Sequence, residues 1–173
     1  MLKSGKICPS KSPCGAPIFI VPKPHGRGLR VVVDYRGLNA ITIKDRYPLP
    51  LMTNLMDRVA KACWFTKFDL KNSYNLIRVA AGHEWKTAFK TRYGAFEFTV
   101  MPWGLCNIPS IFQRFMNHVL SNLIDKEVIV YIDDILIYTE TEEEHVQLVM
   151  KVLELLHDAG LCIALEKSVF HAQ

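Results

Sequence analysis

No uninterrupted apolar run in this 173-residue chain approaches the ~18–20 residues that span a bilayer as a helix. The first twenty residues carry Pro9, Pro13, Pro17 and Gly15 but no apolar h-region, so a secretory signal peptide is not expected. The five cysteines (Cys8, Cys14, Cys63, Cys106 and Cys162) are odd in number and widely spaced, with no CxxC pair. That argues against a disulfide framework and a zinc site, and it suits a reducing, intracellular compartment. Internal repeats and low-complexity segments are also lacking. Acids are scarce at the front: residues 1–50 hold nine Lys/Arg against Asp34 and Asp45, a net +7, and residues 51–100 hold eight against four. The sign then reverses, because residues 101–150 carry two Lys/Arg against eight Asp/Glu. A basic part beside an acidic, carboxylate-bearing part suits a polyanion held over a metal site, although scattered surface charge is the ordinary reading of either.

What is present is globular composition, half hydrophobic and about a fifth charged. Residues 1–14 read as an irregular lead-in. Ala16 to Val21 and Leu29 to Asp34 form two apolar strands around the turn 24–28, with Lys23, Arg27 and Arg30 near its tip. Pro48 and Pro50 open a helix over about 51–61. Trp64 to Asp69 is a strand ending in an acid. Lys86 to Arg92 and Ala95 to Val100 pair as a hairpin, and a helix follows from about 108 to 121 with Ile111, Phe112, Phe115, Met116 and Val119 on its apolar side. Thr141 and Glu144 predict a capping box before a helix whose stripe is Val149, Val152, Leu153, Leu156 and Ala159. Leu161 to Leu165 reads as the last strand. Without the inserted hairpin, the second half runs strand, helix, hairpin, helix, strand, the order of a ferredoxin-like split βαβ antiparallel sheet in an α+β fold.

The stretch from Val128 to Tyr138 organises this half. Two β-branched and aromatic runs flank Asp133-Asp134, which predicts a hairpin with both carboxylates at its tip. An Asp pair there is often only a turn former. In the split βαβ order, however, the strand ending in Asp69 lies beside that hairpin, and three carboxylates on one sheet edge repel unless cations sit between them. Hard oxygen donors suit Mg²⁺ held jointly with substrate phosphates. Two ions about 3.5–4 Å apart would form the clamp of nucleotidyl transfer. Asp69 and Asp133 are the expected bridging ligands, with Asp134 and the Leu70 carbonyl completing the set.

Tyr131-Ile132-Asp133-Asp134, followed by Ile135 to Tyr138, resembles the signature box of reverse transcriptases of gypsy-type LTR retrotransposons. The similarity extends in order along nearly the whole chain: Ile7 to Ser10, Ser12-Pro13, Ala16-Pro17, Val33 to Asn39, Tyr47 to Pro50, Phe68-Asp69-Leu70, Lys86 to Phe89, Tyr93 to Phe98, Met101 to Leu105 and Phe112-Gln113. The resemblance implies a right-hand polymerase lacking its thumb. Fingers are expected at residues 1–62 and a palm at 63–173, with an inserted fingers-side hairpin at about 75–101.

By motif position the resemblance implies that Asp69, Asp133 and Asp134 are catalytic and hold the metal. Lys23, Arg30, Leu70, Tyr74, Trp103 and Gly104 would line the nucleotide site, and Gln113, Tyr131 and Ile132 would lie along template and primer. Tyr74 would be the steric gate that rejects a 2′-OH; read without the family it is a packing aromatic, and Trp103 could equally be core. The implied cofactor is Mg²⁺, two ions, with Mn²⁺ as substitute. The implied partners are an RNA or DNA template with primer, dNTP, and the thumb, connection and RNase H portions of a pol polyprotein, with no membrane. The implied location is a cytoplasmic virus-like particle with access to the nucleus. Asn72-Ser73 stands where the family commonly has Ser-Gly, Asn75-Leu76 replaces His-Gln, Trp103 replaces Phe and Ser168 replaces Cys, as in an eroded or divergent copy. The competing reading is therefore an inactive nucleic-acid-binding remnant. An RNA-dependent RNA polymerase is disfavoured by Tyr74.

Overall fold

Near-continuous runs of β-branched and aromatic residues build the strands that carry the carboxylates. The computed structural model describes residues 1–22, 28–50, 59–71, 73–124 and 126–173, without the side chains of Arg30 and Ser73. Most of the helix expected at 51–61 lies outside the described residues. The chain divides into two compact units, residues 1–44 with 74–108, and residues 45–73 with 109–173. The break after Lys44 precedes the expected boundary at 62, so the described part of 45–62 groups with the second unit rather than the first.

The first unit contains β1 (Ile7–Pro9), β2 (Ile18–Pro22), β3 (Leu29–Val33), the short helix α1 (Arg36–Ile41), β5 (Phe89–Thr91) and β6 (Gly94–Phe98). β2 and β3 pair as an antiparallel ribbon, with Ile18 opposite Val33. β1, β6 and β5 form a second antiparallel sheet. Two of these elements differ from expectation. Ile7–Pro9, read as irregular, is a strand because it finds Phe96–Phe98 as a partner, a long-range pairing that local propensity does not show. The run from Lys86 begins as a 3₁₀ turn, Glu84–Thr87, before becoming β5. Val33, Tyr35, Phe89 and Phe98 make the core of this unit. Tyr35 is buried with its hydroxyl donating to the Thr87 carbonyl at 2.8 Å.

The second unit holds β4 (Trp64–Asp69), α2 (Ile108–Val119, whose first residue belongs to the first unit), β7 (Val128–Tyr131), β8 (Asp134–Thr139), α3 (Glu142–Asp158) and β9 (Val169–Ala172). Its sheet runs β7-β8-β4-β9, every pair antiparallel. This is the split βαβ order expected from the sequence. One face presents Thr66, Phe68, Ile135 and Ile137, all essentially inaccessible, and α3 packs on β8 and β4. α2 adds Phe112 and Met116, and Leu120 follows just past its end, each fully buried. Burying one such side chain contributes about 1.5–3 kcal/mol, which fixes the sheet from behind. The final strand is β9, not Leu161 to Leu165. Leu161 and Ala164 turn into the core, only Ile163 bridges Leu70, and the chain passes through a 3₁₀ turn at Leu165–Lys167 before pairing.

The buried side of α3 begins earlier than the apolar pattern predicts, at His145, followed by Leu148, Val152 and Leu156. Thr141 is the N-cap, but its hydroxyl donates to the Glu144 carboxylate at 2.9 Å and caps no backbone N–H. His145 is fully buried. The Thr139 hydroxyl donates to the Thr141 carbonyl, so it can only accept from His145 Nδ1, 3.1 Å away. Nδ1 thus carries the proton. Burial, then the nearby His171, holds the ring's pKa below the usual 6.5 and so favours the neutral form, in which Nε2 accepts from Thr66 Oγ1 at 2.7 Å while Thr66 Oγ1 accepts the His171 N–H. Protonation would cancel the Thr66 bond. Stability from His145 is therefore full above about pH 6.5 and is lost as pH falls through the lower folded value. Denaturant melts at pH 7.5 and 5.5 should show this loss, and His145→Gln should flatten it; an equally steep loss in the variant would refute the assignment.

Candidate active site

Asp69, the last residue of β4, and Asp134, the first of β8, are direct cross-strand partners. Asp133 precedes Asp134 in the turn, and its carbonyl accepts the Leu70 N–H at 3.2 Å. In an antiparallel ladder a residue's N–H and C=O face the same neighbour, so the Leu70 carbonyl also points to the β8 side. Alternation places Lys67, Asp69, Tyr131 and Asp134 together on the face away from Phe68 and Ile135.

The hairpin tip is Ile132-Asp133 rather than Asp133-Asp134, because Tyr131 and Asp134 still pair. Asp134 is thereby a strand residue, anchored by the ladder, and only Asp133 rides on the turn. Ile132 has φ +57°, a conformation that the first central position of a II′ hairpin turn needs and that glycine usually supplies. A β-branched residue held there costs about 1–3 kcal/mol.

Gln113 of α2 holds this turn. It is fully buried. Its Oε1 accepts the Ile132 N–H at 2.8 Å, and its Nε2 donates to the Val130 carbonyl at 3.0 Å. Nε2 also donates to Asn117 Oδ1 at 2.9 Å, and Asn117 donates to the Tyr47 hydroxyl at 2.8 Å. At about 0.5–1.5 kcal/mol net per bond, this set is comparable with the strain. Gln113, expected along the template, has its amide committed to the turn instead. Neighbouring polar residues in α2 give no sequence signal for that, since a buried glutamine on an amphipathic helix reads as an interruption of the apolar side. Tyr131 remains partly exposed on the open face.

Two lysines face the carboxylates. Lys67 Nζ lies 3.0 Å from Asp134 Oδ1, and Lys167 Nζ lies 3.3 and 3.4 Å from the two oxygens of Asp69. Such partly exposed pairs contribute about 0–1 kcal/mol to stability. Burial, then the charges of Asp134 and Asp69, pushes the Asp133 carboxyl above its ordinary value, against a hydrogen bond from its own backbone N–H and the charge of Lys167. Ser168, singled out as a departure from the family pattern, accepts the Asp69 N–H at 3.3 Å and donates to the Ala164 carbonyl at 2.9 Å. Among the described residues no three Asp, Glu, His or Cys side chains are grouped as ready ligands; Asp69 and Asp134 each face a lysine. The donors themselves, carboxylates with a backbone carbonyl on the same edge, have the chemistry of a hard-cation site.

The first unit carries the other expected nucleotide residues. Tyr74 is nearly buried, its ring edge-on to Trp103 with centroids 4.4 Å apart, whereas Trp103 is 56% exposed. Gly104 has φ +101°, and a Cβ there would meet the Tyr35 ring at 3.5 Å. Its carbonyl accepts from Asn39 Nδ2 at 2.7 Å, while Asn39 Oδ1 accepts the Cys106 N–H at 2.9 Å. Asn39 was not among the expected site residues, yet it fixes the loop that presents Trp103 and Gly104. Lys23 and the Arg30 side chain lie outside the described residues; the Arg30 backbone pairs with Val21 in the β2-β3 ribbon.

Residues 21–173 match the family model described as reverse transcriptase (RNA-dependent DNA polymerase). The chain belongs to the reverse transcriptase family. It is 45% identical over 170 residues to the Transposon Tf2-3 polyprotein of Schizosaccharomyces pombe, covering 98% of this chain and 13% of the polyprotein. The Tf2-7 polyprotein of the same organism is 44% identical over 170 residues, with the same coverage. The chain thus spans about an eighth of the curated relatives it matches. Among solved structures, the foamy viral protease-reverse transcriptase in complex with RNA/DNA hybrid aligns with a TM-score of 0.87 at 29% identity, over 98% of this chain and 22% of that one. The native Prototype Foamy Virus enzyme aligns at 0.85 and 32% identity over the same shares. The α+β architecture is accordingly that of reverse transcriptase fingers and palm, and this family uses divalent metal ions. Among the described residues, no helix is long and apolar enough to cross a membrane.

In this chain, Gln113→Leu should strip partners from the Ile132 N–H and the Val130 carbonyl. Leaving buried backbone groups unsatisfied costs about 1–3 kcal/mol each. The expected outcome is a lower midpoint in chemical denaturation, and an unchanged midpoint would refute the clamp.

Proposed function

We propose that the chain is the fingers-palm module of an RNA-directed DNA polymerase, joining a primer 3′-OH to a dNTP on an RNA or DNA template. The observation that carries this reading is the register of Asp69 against Asp134 with Asp133 in the adjoining turn, in a chain of this family. Asp69, Asp133, Asp134 and the Leu70 carbonyl would hold two Mg²⁺ ions, for which Mn²⁺ can substitute. Bound there, such ions supply acidification of the attacking hydroxyl and charge neutralisation on the triphosphate. The protein's own part is to keep three like charges converged: β4 and β8 fix Asp69 and Asp134, and Gln113 fixes the turn bearing Asp133. Tyr131 and Ile132 would lie along template and primer, and Lys23 and Arg30 would hold the triphosphate. The thumb, connection and RNase H portions of a pol polyprotein are the expected partners of the module, within a cytoplasmic particle.

Tyr74 would act as the gate against a ribose 2′-OH, on a pocket wall shared with Trp103 and Gly104. Its edge-on contact with Trp103 gives the ring a fixed orientation, which a steric gate needs. The alternative, a binding remnant without catalysis, predicts salt-sensitive nucleic-acid affinity without metal dependence.

The deciding experiment is incorporation of labelled dTTP on an RNA template with a DNA primer, in Mg²⁺ and Mn²⁺. Metal-dependent extension is expected, and Asp133→Asn should reduce it by about 10²–10³-fold, because the variant loses an anionic ligand for the ions that would neutralise transition-state charge. Extension unchanged in that variant would refute the metal assignment; binding with no extension, even when the thumb is supplied, would favour the remnant. Tyr74→Val should admit rNTPs, read as a lower ratio of dNTP to rNTP kcat/KM, and an unchanged ratio would remove the gate role.

A further inference from the structure

Lys67 is the one described lysine that strand alternation itself aims at the carboxylates. It stands two residues before Asp69 on β4, hence on the same face, and its cross-strand partner is Leu136. Asp134, two residues before Leu136, is therefore its diagonal neighbour, a separation that a long side chain can bridge. The bridge is made, at 3.0 Å between Lys67 Nζ and Asp134 Oδ1. Both side chains are about half exposed, so the pair is a poor source of stability. Its consequence is local and electrostatic. Lys67 faces Asp134 and Lys167 faces Asp69, so two fixed positive charges oppose three carboxylates, and any divalent cation entering the cluster meets them.

We propose that Lys67 is a positioning residue that holds the Asp134 carboxylate toward β4 and, through its own charge, sets how tightly the triad takes a divalent cation. This rests on the reading of Asp69, Asp133 and Asp134 as the metal-binding triad. The lysine competes for Asp134 and repels the incoming ion, so it weakens metal binding while keeping the third carboxylate in its place beside Asp69. A unit charge beside a divalent ion in a half-solvated site changes its affinity by about three- to ten-fold. A merely structural lysine would alter folding without tightening metal binding.

The test is Mn²⁺ titration of the full chain followed by electron paramagnetic resonance, which reads free Mn²⁺ and does not depend on turnover. Lys67→Met should bind Mn²⁺ about three- to ten-fold more tightly than the wild type, and Lys67→Arg, which keeps the charge, should match the wild type. Lys67→Gln serves as a second neutral variant, and far-UV circular dichroism checks that each variant is folded. Unchanged or weaker binding in both neutral variants, with saturable wild-type binding intact, overturns the role of Lys67 alone. No saturable binding in the wild type overturns it together with the triad reading.

Discussion

Like-charge repulsion among Asp69, Asp133 and Asp134 is the constraint to which the second unit is built. Charges placed on adjacent strand ends favour separation of those ends, and an antiparallel pair with like charges directly opposite is destabilised. The unit counters this from the other face of the same strands, where Phe68, Ile135 and Ile137 are buried and lock β4 to β8. Because side chains alternate, the residues that fix the strands and the residues that carry charge are sequence neighbours: Phe68 beside Asp69, Ile135 beside Asp134. A one-residue slip would bury the carboxylates and expose the core. Register is thus enforced by the hydrophobic face on behalf of the charged one.

Each unit also uses a primary amide to fix a turn that has no glycine-like freedom to spare or depends on it. In the second unit Gln113 bonds one N–H and one C=O across the Ile132-Asp133 turn. In the first, Asn39 does the same across Trp103 to Cys106, from Gly104 to the Cys106 N–H. An amide side chain reproduces the donor and acceptor of a missing neighbouring strand, so it can complete a ladder where the backbone ends. The two cases differ in cost. Gly104 adopts its positive φ freely, whereas Ile132 is held there against its β-branched preference, which makes Asp133 dependent on a helix residue nineteen positions away.

The sheet order and the three acids were legible because both follow from local pattern: strand-forming runs, acid at their ends, and the helix-hairpin-helix sequence between. The resemblance to the family then implied roles for them. What was not legible depends on partners distant in the chain. Ile7–Pro9 becomes a strand only against Phe96–Phe98. Gln113 and His145 are polar residues on helical faces whose buried bonding partners lie on strands, so an apolar pattern passes over both. The turn was misplaced by one residue because Asp-Asp is the better turn former by composition, while the pairing of Tyr131 with Asp134 outweighs that preference.

Charge follows the spatial units rather than the linear halves. Residues 1–44 and 74–108 hold twelve Lys/Arg against three Asp/Glu, a net +9, leaving nine against fourteen, or −5, in the second unit. The gradient along the chain blurs this partition, because residues 45–73 bring Asp45, Asp57 and Asp69 into the second unit while 74–108 return the chain to the first. A basic unit suits the phosphate backbone of nucleic acid, and an acidic one suits cations. Within the acidic unit the positive side chains are not spread evenly: Lys67 and Lys167 stand on its carboxylates. Were Asp69, Asp133 and Asp134 to take divalent ions as proposed, the acidic excess of the unit would favour them and these two lysines would moderate that pull at the carboxylates themselves.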